Sequence, residues 1–263
     1  MPETKVRPGN IFITGDTHGN FERIEDFCRI FETQKQDVMI ILGDAGVNYF
    51  LDKRDRKLKR KLEQLPITFM LVRGNHEARP GCGWDKEDSD YDYLIDCPEY
   101  AGRFMFEQEF PSILYMMDGE TYTFTVRNRQ LHALVVGGAY SIDKDYRIEQ
   151  YDLGNHNYRW YKDEQLNEEE KTKILAATKN EKFDIVFTHT CPSSYVPTET
   201  FLPFTNQSTV DRSMEEFLEK VKQQIEFERW YCGHWHIDKN VDKMSFMFNS
   251  VAQLGGLYDV YNE

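Results

Sequence analysis

Short apolar runs, rich in β-branched and aromatic residues, recur along the chain and predict six strands. Their apolarity is nearly continuous rather than alternating, which is typical of strands covered on both faces. The six runs span residues 11–14, 38–42, 67–72, 131–136, 183–188 and 227–232.

Helical spacing of apolar positions follows the first two runs. The first predicted helix carries Phe21, Ile24, Phe27 and Phe31 on one face, and the second carries Leu51, Leu58, Leu62 and Leu65. Strand, helix, strand, helix in this order predicts parallel βαβ units. Two later helices are predicted to begin at capping boxes, formed by Asn167 with Glu170 and by Ser213 with Glu216.

The middle of the chain has a different pattern. An Asp118-Gly119 turn separates two strand-like runs, and a second turn follows near residues 127–130, which predicts an antiparallel meander. We therefore expect either one mixed sheet or two facing sheets with helices outside. The chain contains no linker and no internal repeat, so we expect a single domain over residues 1–263.

Charge and composition narrow the classes of partner. The formal net charge of −13 over 263 residues argues against non-specific binding to nucleic acid or to an anionic membrane. The first residues contain no apolar signal segment, and the five cysteines form no C-x-x-C pair and are expected to be free thiols. These features predict a cytoplasmic protein, and they leave its oligomeric state open.

Polar chemistry is concentrated at the ends of the predicted strands. The six runs lead, in chain order, into GDTHGN, GDAGVNY, RGNHE, GGAYSID, HTCP and GHWH. Because ligands of open α/β sheets bind beyond the carboxyl ends of the strands, we expect these loops to converge. Tyr140 and Asp143 of the fourth loop are candidates to line the resulting pocket, although turn geometry explains its glycines equally well.

A metal site is the simplest reason to gather carboxylates, an amide and imidazoles in this way. Mixed nitrogen and oxygen donors suit Mn, Fe or Zn better than Ca or Mg. Seven candidate ligands are too many for one tetrahedral ion and suit two ions that share a carboxylate. The seven are Asp16, His18, Asp44, Asn75, His189, His234 and His236.

The ordered set D-x-H-G-N, G-D, G-N-H-E, an isolated His and G-H-x-H resembles the calcineurin-like metallophosphoesterases, from Asp16 to His236. The resemblance implies a two-sheet αββα sandwich with two metal ions at the sheet edge. It implies that one ion takes Asp16, His18, Asp44 and His236. The other would take Asp44, Asn75, His189 and His234, with Asp44 as the bridge.

The resemblance also implies a mechanism. A hydroxide held between the two ions would attack phosphorus, and His76 would protonate the leaving oxygen as general acid. Arg73 is a candidate to bind the phosphate through paired hydrogen bonds, and a structural ion pair is its alternative.

The second motif departs from the family pattern. Phosphoprotein phosphatases carry G-D-x-V-D-R-G, whereas this chain has Val47 and Asn48 where the later acid and arginine would stand. The support of His76 is therefore left open, and the case for a phosphoprotein substrate is weaker. The acidic, aromatic segment 82–100 is either a lid or a solvated excursion.

Three functions remain open at this point. The leading expectation is a metal-dependent phosphomonoesterase. The first alternative is a phosphodiesterase or nucleotide hydrolase that uses the same site, and the second is a non-catalytic protein that keeps the metal as structure.

Overall fold

A computed structural model describes residues 9–81, 94–201, 203 and 206–256. All six predicted core strands are present, within two residues of their expected bounds. The strands are β1 Ile11–Thr14, β2 Val38–Ile41, β3 Thr68–Leu71, β4 Leu94–Cys97, β5 Gly102–Phe106, β6 Ile113–Met116, β7 Thr121–Val126, β8 Arg129–Val136, β9 Lys182–Thr188, β10 Glu226–Cys232, β11 Lys239–Val241, β12 Met244–Phe246 and β13 Val251–Gln253. The helices are α1 Glu22–Phe31, α2 Lys53–Glu63, α3 Lys144–Asp152, α4 Glu168–Thr178 and α5 Ser213–Gln224.

The strands form two mixed sheets. The first has the order β13-β1-β2-β3-β6-β5-β4, with β1, β2, β3 and β6 parallel. The second has the order β11-β12-β10-β9-β8-β7, with β8, β9, β10 and β12 parallel. The expected parallel units at the start of the chain are confirmed.

Three apolar clusters account for the layers. One contains residues of both sheets, among them Ile40 and Phe187, and fills the space where the sheets face each other. A second packs α1 and α2 on the first sheet through residues such as Ile24 and Leu62. The third packs α5 on the second sheet around Trp230, which is fully buried. The protein is therefore the two-sheet sandwich flanked by helices that the resemblance implies.

Two local predictions are wrong. The Asp118-Gly119 turn does not join a hairpin, because β6 pairs with β3 in the first sheet and β7 pairs with β8 in the second. The turn carries the chain from one sheet to the other, and only β7 and β8 form the expected antiparallel pair. Ser213 is the first residue of α5 and makes no side-chain cap; its N–H is instead bonded to Asp211.

Other predictions of detail have mixed outcomes. The capping box of Asn167 and Glu170 is present as expected. The segment 82–100 is in part a strand, because β4 pairs with β5 at the edge of the first sheet. Its residues 82–93, and with them Cys82, lie outside the described part of the chain, and the other four cysteines are free thiols. No helix within the described ranges has the length and apolarity to span a membrane.

Candidate metal centre

The loops that follow β1, β2, β3, β9 and β10 bring the seven predicted ligand residues together. Close packing of the backbone makes this possible, and glycines permit it. A Cβ atom at Gly43 would lie 2.1 Å from Nδ1 of His189, and one at Gly74 would lie 1.9 Å from Oδ1 of Asp44. Any larger residue at either position would displace a predicted ligand.

The backbone itself is strained at these loops. Four of the seven residues have a left-handed conformation, which side chains other than glycine rarely adopt. Their φ angles are 46° at His18, 48° at Asp44, 67° at His234 and 50° at His236. Strain of this kind costs on the order of 1–3 kcal/mol per residue and is concentrated at functional sites. These loops therefore adopt costly backbone conformations that bring the predicted ligand side chains together.

The first group of donors consists of Asp16, His18 and His236. The two imidazole Nε2 atoms lie 2.9 Å apart, and Oδ2 of Asp16 lies 3.3 Å from Nε2 of His236 and 3.7 Å from Nε2 of His18. Oδ2 of Asp16 is buried and has no hydrogen-bond partner among the described residues. A buried carboxylate oxygen without a donor is costly, and a cation would satisfy it.

The second group consists of Asn75, His189 and His234. Oδ1 of Asn75 lies 2.7 Å from Nε2 of His189 and 3.2 Å from Nδ1 of His234. Nδ1 of His189 lies 2.7 Å from the carbonyl oxygen of Leu42, to which its N–H donates, so that the lone pair of Nε2 faces the centre. Burial lowers the pKa of His234 to about 3, so its imidazole is neutral, which is the form that binds metals.

Asp44 lies between the two groups. Its Oδ1 is 3.7 Å from Nε2 of His189, and its Oδ2 is 3.9 Å from Nδ1 of His18. Burial by itself raises the pKa of Asp44, but the neighbouring imidazoles, His76 first among them, hold it well below its usual value. An ionised carboxylate between two donor groups is the arrangement that two bridged cations require.

The side chain of Ser141 fixes the orientation of Asn75, and the sequence did not single it out. The Asn75 amide nitrogen donates to the Ser141 hydroxyl at 2.8 Å, which turns Oδ1 towards the imidazoles. The Ser141 N–H donates to Glu164 at 3.1 Å. The only sequence signal was the position of Ser141 in the GGAYSID loop at a strand end.

Residues 9–238 match the calcineurin-like phosphoesterase family. The chain belongs to this family. No curated protein sequence matches it significantly. One crystal structure is similar over 98% of this chain and 99% of its own, with 11% identity and a TM-score of 0.49, which is too distant to support any argument.

The motif that follows Asp44 departs from the pattern of the phosphoprotein phosphatases. Val47, at the position of the second acid of that pattern, is fully buried in the apolar cluster beneath α1 and α2. Nδ1 of His76 is buried and has no hydrogen-bond partner in the described ranges. Burial lowers the pKa of His76, with Arg147 adding to the effect and Asp44 and Asp143 opposing it. No described carboxylate is hydrogen-bonded to the ring, so none replaces the missing acid directly.

Arg73 does not face this site. Its side chain is 4% exposed and pairs with Asp118 at 2.9 Å, and it also donates to the carbonyl oxygen of Glu164 at 2.9 Å. The structure thus places Arg73 in the ion pair that was its alternative role, and the expectation of a phosphate clamp at this residue is not met.

Arg147 of α3 supplies the guanidinium that faces the site. Its Nη2 lies 3.5 Å from Nε2 of His76, while Asp143 accepts from its Nε at 2.7 Å and the hydroxyl of Tyr49 accepts from Nη1 at 2.9 Å. No local pattern in the sequence indicates this role, because nothing in the residues of α3 shows where the helix docks. Tyr140 and Asp143, the two candidates from the same loop, both line the pocket as expected.

Proposed function

We propose that the protein is a metal-dependent hydrolase of phosphate esters. Asp16, His18, Asp44 and His236 would hold one transition-metal ion, Mn, Fe or Zn, and Asp44, Asn75, His189 and His234 the other. Bound ions would polarise the phosphoryl oxygens and supply a water molecule of lowered pKa. The unpartnered, buried Oδ2 of Asp16 among converging imidazoles is the observation that carries this proposal.

Two further side chains have roles in the proposed reaction. Arg147 would donate hydrogen bonds to the non-bridging phosphoryl oxygens, since its Nη2 points into the site past Asp143 and Tyr49. His76 would give a proton to the leaving oxygen. It lies at the edge of the centre, with its ring centroid 5.9 Å from that of His18.

The acid role of His76 is tested by changing the leaving group. A general acid matters little for p-nitrophenolate, which leaves without a proton, and matters greatly for an alkoxide. We expect His76→Gln to reduce kcat/KM about 10²-fold or more for an alkyl phosphate and much less for a nitrophenyl ester. His132→Gln, at an exposed histidine of β8, is the matched control. Equal losses with both leaving groups would remove His76 from the acid role.

The metal dependence is tested with Asp44→Ala. The variant should retain fewer than one ion per chain after dialysis and should turn over neither nitrophenyl phosphate nor bis(nitrophenyl) phosphate, whereas the Mn²⁺-loaded parent turns over at least one. If the loaded parent binds ions but hydrolyses no ester in a broad panel, the non-catalytic alternative is correct. The leading expectation from the sequence is that the substrate is a phosphomonoester rather than a phosphodiester. The cavities around the site provide evidence on this choice.

A further inference from the structure

Two cavities meet at the proposed metal centre. The first has a volume of about 570 Å³ and the second of about 380 Å³. Both cavities are lined by His18, Asp44, His76 and Arg147, so the proposed metal centre lies where the two cavities meet. A phosphate group bound at Arg147 and His76 would therefore have open space on two sides.

Away from the centre, the first cavity has aromatic and aliphatic side chains, together with charged ones such as Asp211 and Glu215. The rings of Phe201 and Trp235 lie near each other in a tilted arrangement, with centroids 6.4 Å apart and an angle of 33° between their planes. The guanidinium of Arg212 lies over Phe201, 5.0 Å from the ring centroid. Rings and a guanidinium plane in this arrangement can pack against a flat organic substituent.

The second cavity lies on the side of α2 and is also partly aromatic. The rings of Tyr49 and Phe50 meet edge to face at 4.7 Å, and the guanidinium of Arg54 lies 3.5 Å over Phe50. Leu58 adds apolar surface. This cavity is large enough for a substituent of its own, and a phosphomonoester would leave it or the first cavity unused.

The part that the two cavities share contains one guanidinium beside the proposed metal centre. Among the residues that the structure describes, Arg147 is the one lysine or arginine that lines both cavities. Its charge is already offset in part by the ion pair with Asp143 at 2.7 Å, and Arg73 is held elsewhere by Asp118. The charge of the phosphoryl group would be neutralised mainly by the proposed metal ions, and Arg147 would add one hydrogen-bonding guanidinium for a monoester and a diester alike.

We propose that the substrate is a phosphodiester whose two substituents occupy the two cavities, at least one of them aromatic. This inference rests on the proposed hydrolysis. Water adds to phosphorus and releases one proton, the bond from phosphorus to one ester oxygen breaks, and His76 gives that oxygen a proton and is then reprotonated by the proton that the water released. The products are an alcohol and a phosphomonoester, and the monoester leaves because it no longer fills both cavities.

Three esters with one leaving group test the proposal: bis(p-nitrophenyl) phosphate, methyl p-nitrophenyl phosphate and p-nitrophenyl phosphate. With Mn²⁺-loaded protein we expect the highest kcat/KM for the bis-ester, because its second ring fills a cavity that the methyl group does not. Burial of an aromatic ring predicts a difference of about tenfold or more between the two diesters.

Substitutions in each cavity sharpen the test. The ratio compared is kcat/KM for the bis-ester divided by kcat/KM for the monoester. We expect at least one of the variants Phe50→Ala and Phe201→Ala to lower this ratio by about tenfold. Phe50→Leu and Phe201→Leu replace them if an alanine variant does not fold. Phe31→Ala, outside both cavities at the end of α1, should leave the ratio unchanged.

Two outcomes contradict the proposal in different ways. Faster turnover of the monoester than of both diesters, or a ratio that no cavity substitution changes, would overturn the diester assignment and leave the hydrolase intact. Turnover of none of the three esters by protein that retains its ions would overturn the proposed function and this inference together.

Discussion

Replacing Arg73 by Met removes a buried guanidinium that stabilises the fold and does not face the proposed metal centre. The side chain is 4% exposed, and its partner Asp118 is 15% exposed. Met keeps the apolar stem but leaves Asp118 and the carbonyl oxygen of Glu164 without this donor. Loss of one partner from a buried pair costs about 3–5 kcal/mol. For a chain of this size, that loss lowers the Tm by roughly 6–15 °C.

The assay compares Arg73→Met with Arg147→Met in the same two measurements. Thermal unfolding of metal-free protein should show the large loss for Arg73→Met and a smaller loss for Arg147→Met, because the partner Asp143 is 39% exposed whereas Asp118 is 15% exposed. Turnover of bis(nitrophenyl) phosphate should fall about 10–100-fold for Arg147→Met, the range expected for lost hydrogen bonds between charged groups. It should change little for Arg73→Met below its Tm. A stable Arg73→Met variant without activity would refute the structural role of Arg73 and restore it as the phosphate-binding residue.

Three smaller predictions concern other parts of the chain. Burial raises the pKa of Asp55 to about 6, so the folded state holds a proton that the unfolded state releases, and the free energy of unfolding falls as the pH rises from 4 through 6. In denaturant titrations, the stability of Asp55→Asn relative to the parent should be about 1–2 kcal/mol greater at pH 7.5 than at pH 4. A difference between variant and parent that does not depend on pH would contradict this. Asn167→Ala removes the capping box with Glu170 and should cost about 1 kcal/mol in the same titrations, where no loss would show that the cap contributes nothing. Ser141→Ala frees the amide of Asn75 and should weaken Mn²⁺ binding about tenfold or more in equilibrium dialysis, and unchanged affinity would mean that Ser141 does not position Asn75.

The sequence predicted the fold well wherever a local pattern determined the outcome. The core strands are apolar on both faces, and five of the six lead into a turn that carries Asp, Asn or His, so the parallel units at the start of the chain and a common edge for these turns could be predicted. The Asp118-Gly119 turn misled because a tight turn has the same residues whether it closes a hairpin or crosses between sheets. Only the long-range pairing of β6 with β3 distinguishes the two cases.

The convergence of the seven candidate ligands could be predicted from the sequence, and the arginine that faces the site could not. The seven ligand candidates follow strand ends directly, so their convergence follows from the sheet. Arg73 also follows a strand, yet its side chain turns towards Asp118 and away from the pocket. Arg147 reaches the site only because α3 docks beside Tyr49, a contact between residues 98 positions apart. Such contacts leave no periodic trace in the sequence.

The central claim is that the seven residues bind two metal ions, and counting the ions tests it most directly. Purified protein is saturated with Mn²⁺, passed through a desalting column and analysed for metal and protein content. We expect two ions per chain in the parent and fewer than one in Asp44→Ala, because Asp44 lies between the two donor groups. Retention of no ion by the folded parent, or equal retention by parent and variant, would contradict the account.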